Sequence, residues 1–107
     1  MPTVFVINDS GHNFEDAKRF GPLVTLTEGQ VNPFHTDRLL AFIEGRLSMS
    51  KPEDLLLLCG TPILNTIAAV VFHKKHGTLN VLIWDAKRRE YKNATVIERK
   101  SELVCQT

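Results

Sequence analysis

The sequence reads as an α/β protein: a three-layer α/β/α sandwich around a five-stranded, mostly parallel sheet, in the order βαβαβαββ. Three observations lead there. The apolar run Leu55 to Leu58 is followed by the turn Gly60-Thr61-Pro62, a helical stretch closed by Gly77, and a second apolar run, Leu79 to Trp84, which together form a βαβ unit. Leu55 to Leu58 shows no polar alternation, as expected of a strand covered on both faces in a parallel sheet. The polar stretch Asp85 to Glu90 is too short for a crossover helix, so Tyr91 to Ile97 must return antiparallel as an edge strand.

Taken in order, Thr3 to Ile7 is a β-branched and aromatic run that enters the loop Asn8-Asp9-Ser10-Gly11 and reads as the first strand. Asn13 is placed to cap a short helix on which Phe14, Ala17 and Phe20 recur, with Gly21-Pro22 as its stop. Leu23 to Thr27 is a second short strand. Between Asn32 and Leu47, the residues Leu39, Leu40, Ile43 and Leu47 make one apolar stripe, which predicts an amphipathic helix. Its start is set either by Asn32 with Pro33 or by Thr36 with Asp37. Pro62 to His76 is the third helix, ending in Lys74-Lys75 before Gly77, a basic last turn followed by a glycine stop. The strand order expected of a short doubly wound sheet is 2-1-3-4-5, with its ligand crevice at the carboxyl ends of strands one and three.

At 107 residues the chain fits a single domain, 1–107, with 98–107 expected as a loosely ordered tail. A 43% hydrophobic, 23% charged composition is that of an ordinary globular protein and argues against disorder elsewhere. The net charge of +1 lacks the basic excess of a dedicated nucleic-acid binder, so no nucleic-acid partner is expected. No apolar stretch is long enough to span a membrane and no signal peptide is recognised, which makes a cytoplasmic location the default expectation. Cys59 and Cys105 have neither zinc-site spacing nor the density of a secreted scaffold, and both are expected as reduced thiols.

The candidate site joins the loop after strand one to the turn before the third helix. Asn8, Ser10, Gly11, His12, Gly60, Thr61 and Asn65 are the candidate ligand-binding residues, with Thr61 as helix cap and Pro62 at the first helical position. Helix N-termini carry unpaired N–H groups and the positive end of the helix dipole, so the expected ligand is anionic or nucleotide-like. Thr27, Glu28 and Gly29, and Trp84 with Asp85, end their strands at the same edge. His12 is the group that titrates near neutrality, and with Asp9 and Glu28 it is a candidate for acid–base work should the site be catalytic, as a hydrolase or nucleotide-processing enzyme. Asn8-Asp9-Ser10-Gly11 is neither a P-loop nor a dinucleotide fingerprint, and ordinary turn chemistry selects the same residues.

His12 and His35 are expected at that edge and His73 and His76 at the opposite one, in helix-terminal roles. No set of three ligands has a standard zinc spacing, so no metal and no cofactor is expected. Cys59, one residue before the Gly60 turn, reads as a core thiol rather than a nucleophile. Lys87, Arg88, Arg89, Lys92, Arg99 and Lys100 read as a charged edge that discourages strand pairing. A homodimer is a further expectation, and a protein-interaction or assembly module without small-molecule activity is the alternative to a binding module.

Gly11-His12 before Phe14, Phe20-Gly21, Thr27-Glu28-Gly29, Asp54-Leu55, and His76-Gly77 followed by Leu79-Asn80-Val81-Leu82-Ile83 together resemble small Rossmann-like α/β proteins of the bacteriophage and prophage kind. The resemblance covers most of the chain. It implies the α/β fold and carries no activity with it.

Overall fold

Alternate residues of the first strand, β1 (Val4–Asp9), face two separate cores, and this period-two split sets the architecture. The computed structural model describes residues 1–97, and the expected tail 98–107, with Arg99, Lys100 and Cys105, lies outside the described residues. A 3-10 helix, Glu15–Phe20, leads to β2 (Leu23–Glu28), followed by α1 (Thr36–Arg46) and β3 (Leu55–Leu57). Then come α2 (Pro62–His76), β4 (Leu79–Asp85) and β5 (Glu90–Val96). The five strands lie in the order β2-β1-β3-β4-β5. β1 pairs parallel with β2 and β3, β3 pairs parallel with β4, and β4 pairs antiparallel with β5, as the sequence predicts.

Phe5 and Ile7 of β1 join Leu26, Leu56 and Val81 against Leu39 and Ile43 of α1, its C-cap Leu47, and Leu64, Ile67, Ala68, Phe72 of α2. Val4 and Val6 instead join Leu55, Leu57, Leu82 and Tyr91 against Phe14 and Ala17. The first core thus rests on two α-helices. Among the described residues the second rests on one short 3-10 helix.

Several boundaries differ from the sequence reading, each for a physical reason. The three-residue spacing of Phe14, Ala17 and Phe20 suits a 3-10 helix, in which residues three apart eclipse. Asn13 does not cap it as expected; its Oδ1 accepts from the Glu15 N–H in a local Asx turn. The start of α1 lies at Thr36, because Asn32 Oδ1 accepts the Phe34 N–H and holds residues 32–35 in turns. β3 ends at Leu57. β1 continues beyond Ile7, through Asn8 and Asp9, which pair with Thr27 and Glu28.

The edge opposite the candidate site is tied by buried Asp54, whose Oδ1 accepts from the Thr3 N–H and Oδ2 from the Lys51 N–H, both at 2.8 Å. Asn80 Nδ2 donates to the carbonyls of Pro52 and Asp54 beside it. Gly21 is obligatory nearby, since a Cβ there would stand 1.8 Å from the Pro2 carbonyl oxygen. These ties hold the starts of β1, β3 and β4 level.

Candidate functional site

Asn8 organises the carboxyl edge. A buried asparagine needs partners for its amide, and here Nδ2 donates to Thr27 Oγ1 at 2.9 Å and to the Gly29 carbonyl at 3.0 Å. Thr27 Oγ1 donates onward to the Ile7 carbonyl. Two acceptors on one side of the amide fix its orientation, so the other atom is the oxygen. Among the described residues Asn8 Oδ1 accepts no hydrogen bond, although Asn8 is only 4% exposed.

Gly60 is why that oxygen stays open. With φ at +81°, it lies so near that a Cβ would meet Asn8 Cβ at 2.7 Å and stand 3.4 Å from Oδ1. The cleft beside it, about 570 Å³, is lined by Asn8, Ser10, Gly29, Gln30, Val31, Gly60, Thr61, Pro62 and Leu64. It opens on the α2 side, between β1 and β3, where the winding of the sheet reverses.

Of the residues singled out in the sequence, Asn8, Ser10, Gly60 and Thr61 line this cleft, together with Gly29. Gly11, His12, Asn65, Asp9 and Glu28 do not. His12 is exposed and packs edge-on to Phe14, 6.3 Å between ring centroids. Asp9 and Glu28 end neighbouring strands as register partners, leaving two carboxylates side by side at the edge. Trp84 lines a different hollow of about 560 Å³ with Asn13, Glu15, Asp16 and Arg89, so the edge is divided in two. His35 is exposed before α1, whereas His76 sits at the opposite edge, its Nε2 2.9 Å from Ser50 Oγ and its ring 4.6 Å from that of Phe72.

The start of α2 is built differently from the expected threonine cap. Thr61 makes no side-chain cap bond. Asn65 does the work from inside the first turn: its Oδ1 accepts from the Cys59 N–H at 3.1 Å, and its Nδ2 donates to the carbonyls of Cys59 and Thr61. An asparagine reaches back along the helix because side chains point toward its N-terminus, so it bridges strand and helix where a threonine on the turn cannot. The Leu64 and Asn65 N–H groups both turn to the Thr61 carbonyl. Among the described residues the N–H groups of Gly60, Thr61 and Ile63 meet no acceptor.

Burial pushes the Cys59 thiol above its ordinary value, against backbone hydrogen bonds from Asn8 and Ile7 that act the other way. Cys59 Sγ donates to the Asn8 carbonyl at 3.1 Å, so it is a structural thiol that locks β3 to β1. No side chain lining the cleft is charged, and among the described residues no group of three or more His, Cys, Asp or Glu converges as a metal site requires. Gln30, Val31 and Leu64 are lining residues that the sequence reading passed over. Val31 left a trace there, as an isolated apolar residue in a polar loop; Leu64 is indistinguishable from any other residue of a core stripe.

Fold and cleft define a small α/β protein with an open, uncharged hollow at the carboxyl edge of a mixed five-stranded sheet. A model of the family described as Phage Pam3 gp32-like protein matches residues 2–97, and the chain belongs to that family. No match was found among curated proteins or among solved structures. No helix among the described residues is long and apolar enough to cross a membrane.

Proposed function

We propose that the protein is a binding module for a small nucleotide-like ligand, taken up in the Asn8–Gly60 cleft. The observation that carries this reading is Asn8 Oδ1, an acceptor on an otherwise buried side chain that bonds to no described residue and that Gly60 leaves open to the cleft. Oδ1 is therefore free to accept from a ligand's hydroxyl or amino group, a hydrogen bond worth a net ~0.5–1.5 kcal/mol. The N–H groups of Gly60, Thr61 and Ile63 supply complementary donors at the positive end of α2, suited to a phosphate or carbonyl oxygen. Val31, Pro62 and Leu64 add apolar surface.

The ligand therefore carries both a donor and an acceptor, as a ribose with a phosphate does. A bare polyanion fits less well, because no basic side chain lines the cleft and Asp9 and Glu28 stand nearby. The switch-point position is that of ligands in Rossmann-like sheets, a fold-level analogy that agrees with the local chemistry.

The experiment is a thermal-stability screen with nucleosides, nucleoside monophosphates and inorganic phosphate, repeated on Ser10→Trp. Ser10 is exposed on the cleft rim, so the tryptophan should fill the hollow without disturbing either core. A nucleoside monophosphate should raise the melting temperature of the parent and leave the variant unmoved. If no nucleoside or nucleotide stabilises the parent, or if both proteins respond alike, the cleft is not the binding site.

A further inference from the structure

α1 and α2 cover one face of the sheet side by side, pointing the same way, because each follows a parallel strand and returns to the start of the next. A groove runs between them on the outer side. Leu40 and Val70 stand at its centre, 40% and 57% exposed, and both line its two adjoining hollows of about 530 and 260 Å³. Leu47 and Val71 deepen the floor at one end.

The rims differ in charge. On α1, Asp37, Leu40 and Glu44 make an acidic stripe at helical spacing, and on α2, Thr66, Val70 and Lys74 make a stripe ending in a base. Asp37 and Thr66 lie at one level of the groove, Glu44 and Lys74 at the other. Neither Glu44 nor Lys74 forms an ion pair with another described residue, whereas Lys75 Nζ is engaged by the carbonyls of Leu47 and Ser48 at the end of α1.

We propose that a second copy of this chain covers the groove, in a two-fold dimer whose axis runs parallel to the helices. Such an axis keeps each residue at its level while laying α1 of one copy on α2 of the other. Glu44 then meets Lys74 of the second copy twice over, and Leu40 meets Val70. An axis across the helices would instead lay α1 on α1, antiparallel, and set Asp37 against Glu44 in like-charge repulsion. The charge pattern therefore favours one dimer and opposes the other.

The dimer is a weak one. Helices of 11 and 15 residues, about 16 and 22 Å long, present well under the ~800 Å² per partner of a standard stable interface. The test is the molar mass in solution from about 10 µM to about 1 mM, the range in which such interfaces associate. The parent should pass from monomer to dimer. Glu44→Lys and Lys74→Glu should each weaken association by about tenfold, and the double swap should restore it. Circular dichroism on each variant confirms that the fold is kept, and both positions are exposed. A parent that remains monomeric overturns the proposal. So do single swaps that leave association unchanged, or a double swap that does not recover it.

Discussion

Asn8 and Asn65, both bonded to Cys59, show how one residue type does opposite things at one edge of the sheet. Both tie backbone at the carboxyl edge, but Asn65 uses its whole amide on Cys59 and Thr61, while Asn8 uses only its nitrogen. Removing Asn65 frees the Cys59 N–H and the carbonyl it answered. Asn65→Ala should cost about 1–2 kcal/mol, the net worth of a small set of partly buried hydrogen bonds. Thr61→Ala removes no such bond and should stay within about 0.5 kcal/mol of the parent. Urea midpoints of the two variants decide between this account and the threonine cap expected from sequence, which would reverse the order. His12→Ala belongs with Thr61→Ala, since His12 is exposed and lies outside the cleft.

At the scale of an element, the β4–β5 hairpin shows a charged edge organised around one carboxylate. Asp85 Oδ1 accepts the N–H groups of Lys87 and Arg88, and Oδ2 faces Arg88 and Lys92 at 3.4 and 3.2 Å. Part of the basic cluster seen in the sequence is thereby turned inward on its own loop. The Arg88 N–H above all, and then the Lys92 side chain, hold the Asp85 carboxyl below its ordinary 3.8. A carboxyl depressed in the folded state adds stability above its unfolded value and loses it as pH falls through the folded value. Asp85→Asn keeps the shape and one acceptor while discarding the charge. Its thermal midpoint should fall below the parent's at neutral pH and converge with it in acid. A gap that persists unchanged at the acid end would show that the carboxylate charge is not what stabilises the loop.

Over the whole molecule, the two cores are unequal. Phe72, Ile43 and Leu47, all fully buried, belong to the face carrying α1 and α2, and among the described residues the face under the 3-10 helix has Phe14, Ala17 and Phe20 to cover it. Hydrogen bonds of a 3-10 helix are also poorer in geometry than those of an α-helix. Local opening should therefore begin at Glu15–Phe20 and leave α2 intact. Amide hydrogen exchange should show protection of the 3-10 helix at least about tenfold below that of the Ile67–Phe72 segment. Equal protection would mean that both faces open together. The unevenness bears on the candidate cleft, which is built on the stable side, between β1, β3 and the start of α2. A hollow on that side can stay preformed while the other face breathes.

How much of this was legible depends on the range of the interaction concerned. Apolar runs, turn residues and helix stops act within a few residues. They were enough to place the strands and helices of the described residues and the antiparallel last strand, whereas the 2-1-3-4-5 order came from the common arrangement of short doubly wound sheets and is found in the structure. They also pointed to the loop after β1 and the turn before α2. The type of the first helix lay within reach too, in the three-residue spacing of Phe14, Ala17 and Phe20. What the chain alone did not reveal are contacts between residues far apart in sequence: Asn8 with Thr27 and Gly29, Gly60 against Asn8, Cys59 on the Asn8 backbone. Asn8 looked like a loop residue because asparagine is selected by turns. It is buried in a strand because Thr27, nineteen residues on, is in register to receive its amide. The same holds for exclusion: His12 and Trp84 share an edge with the cleft by topology but stand away from it, on the other side of the sheet. Periodicity determines which edge a side chain reaches; only the packed sheet decides which face it turns to and which polar atom is left without a partner.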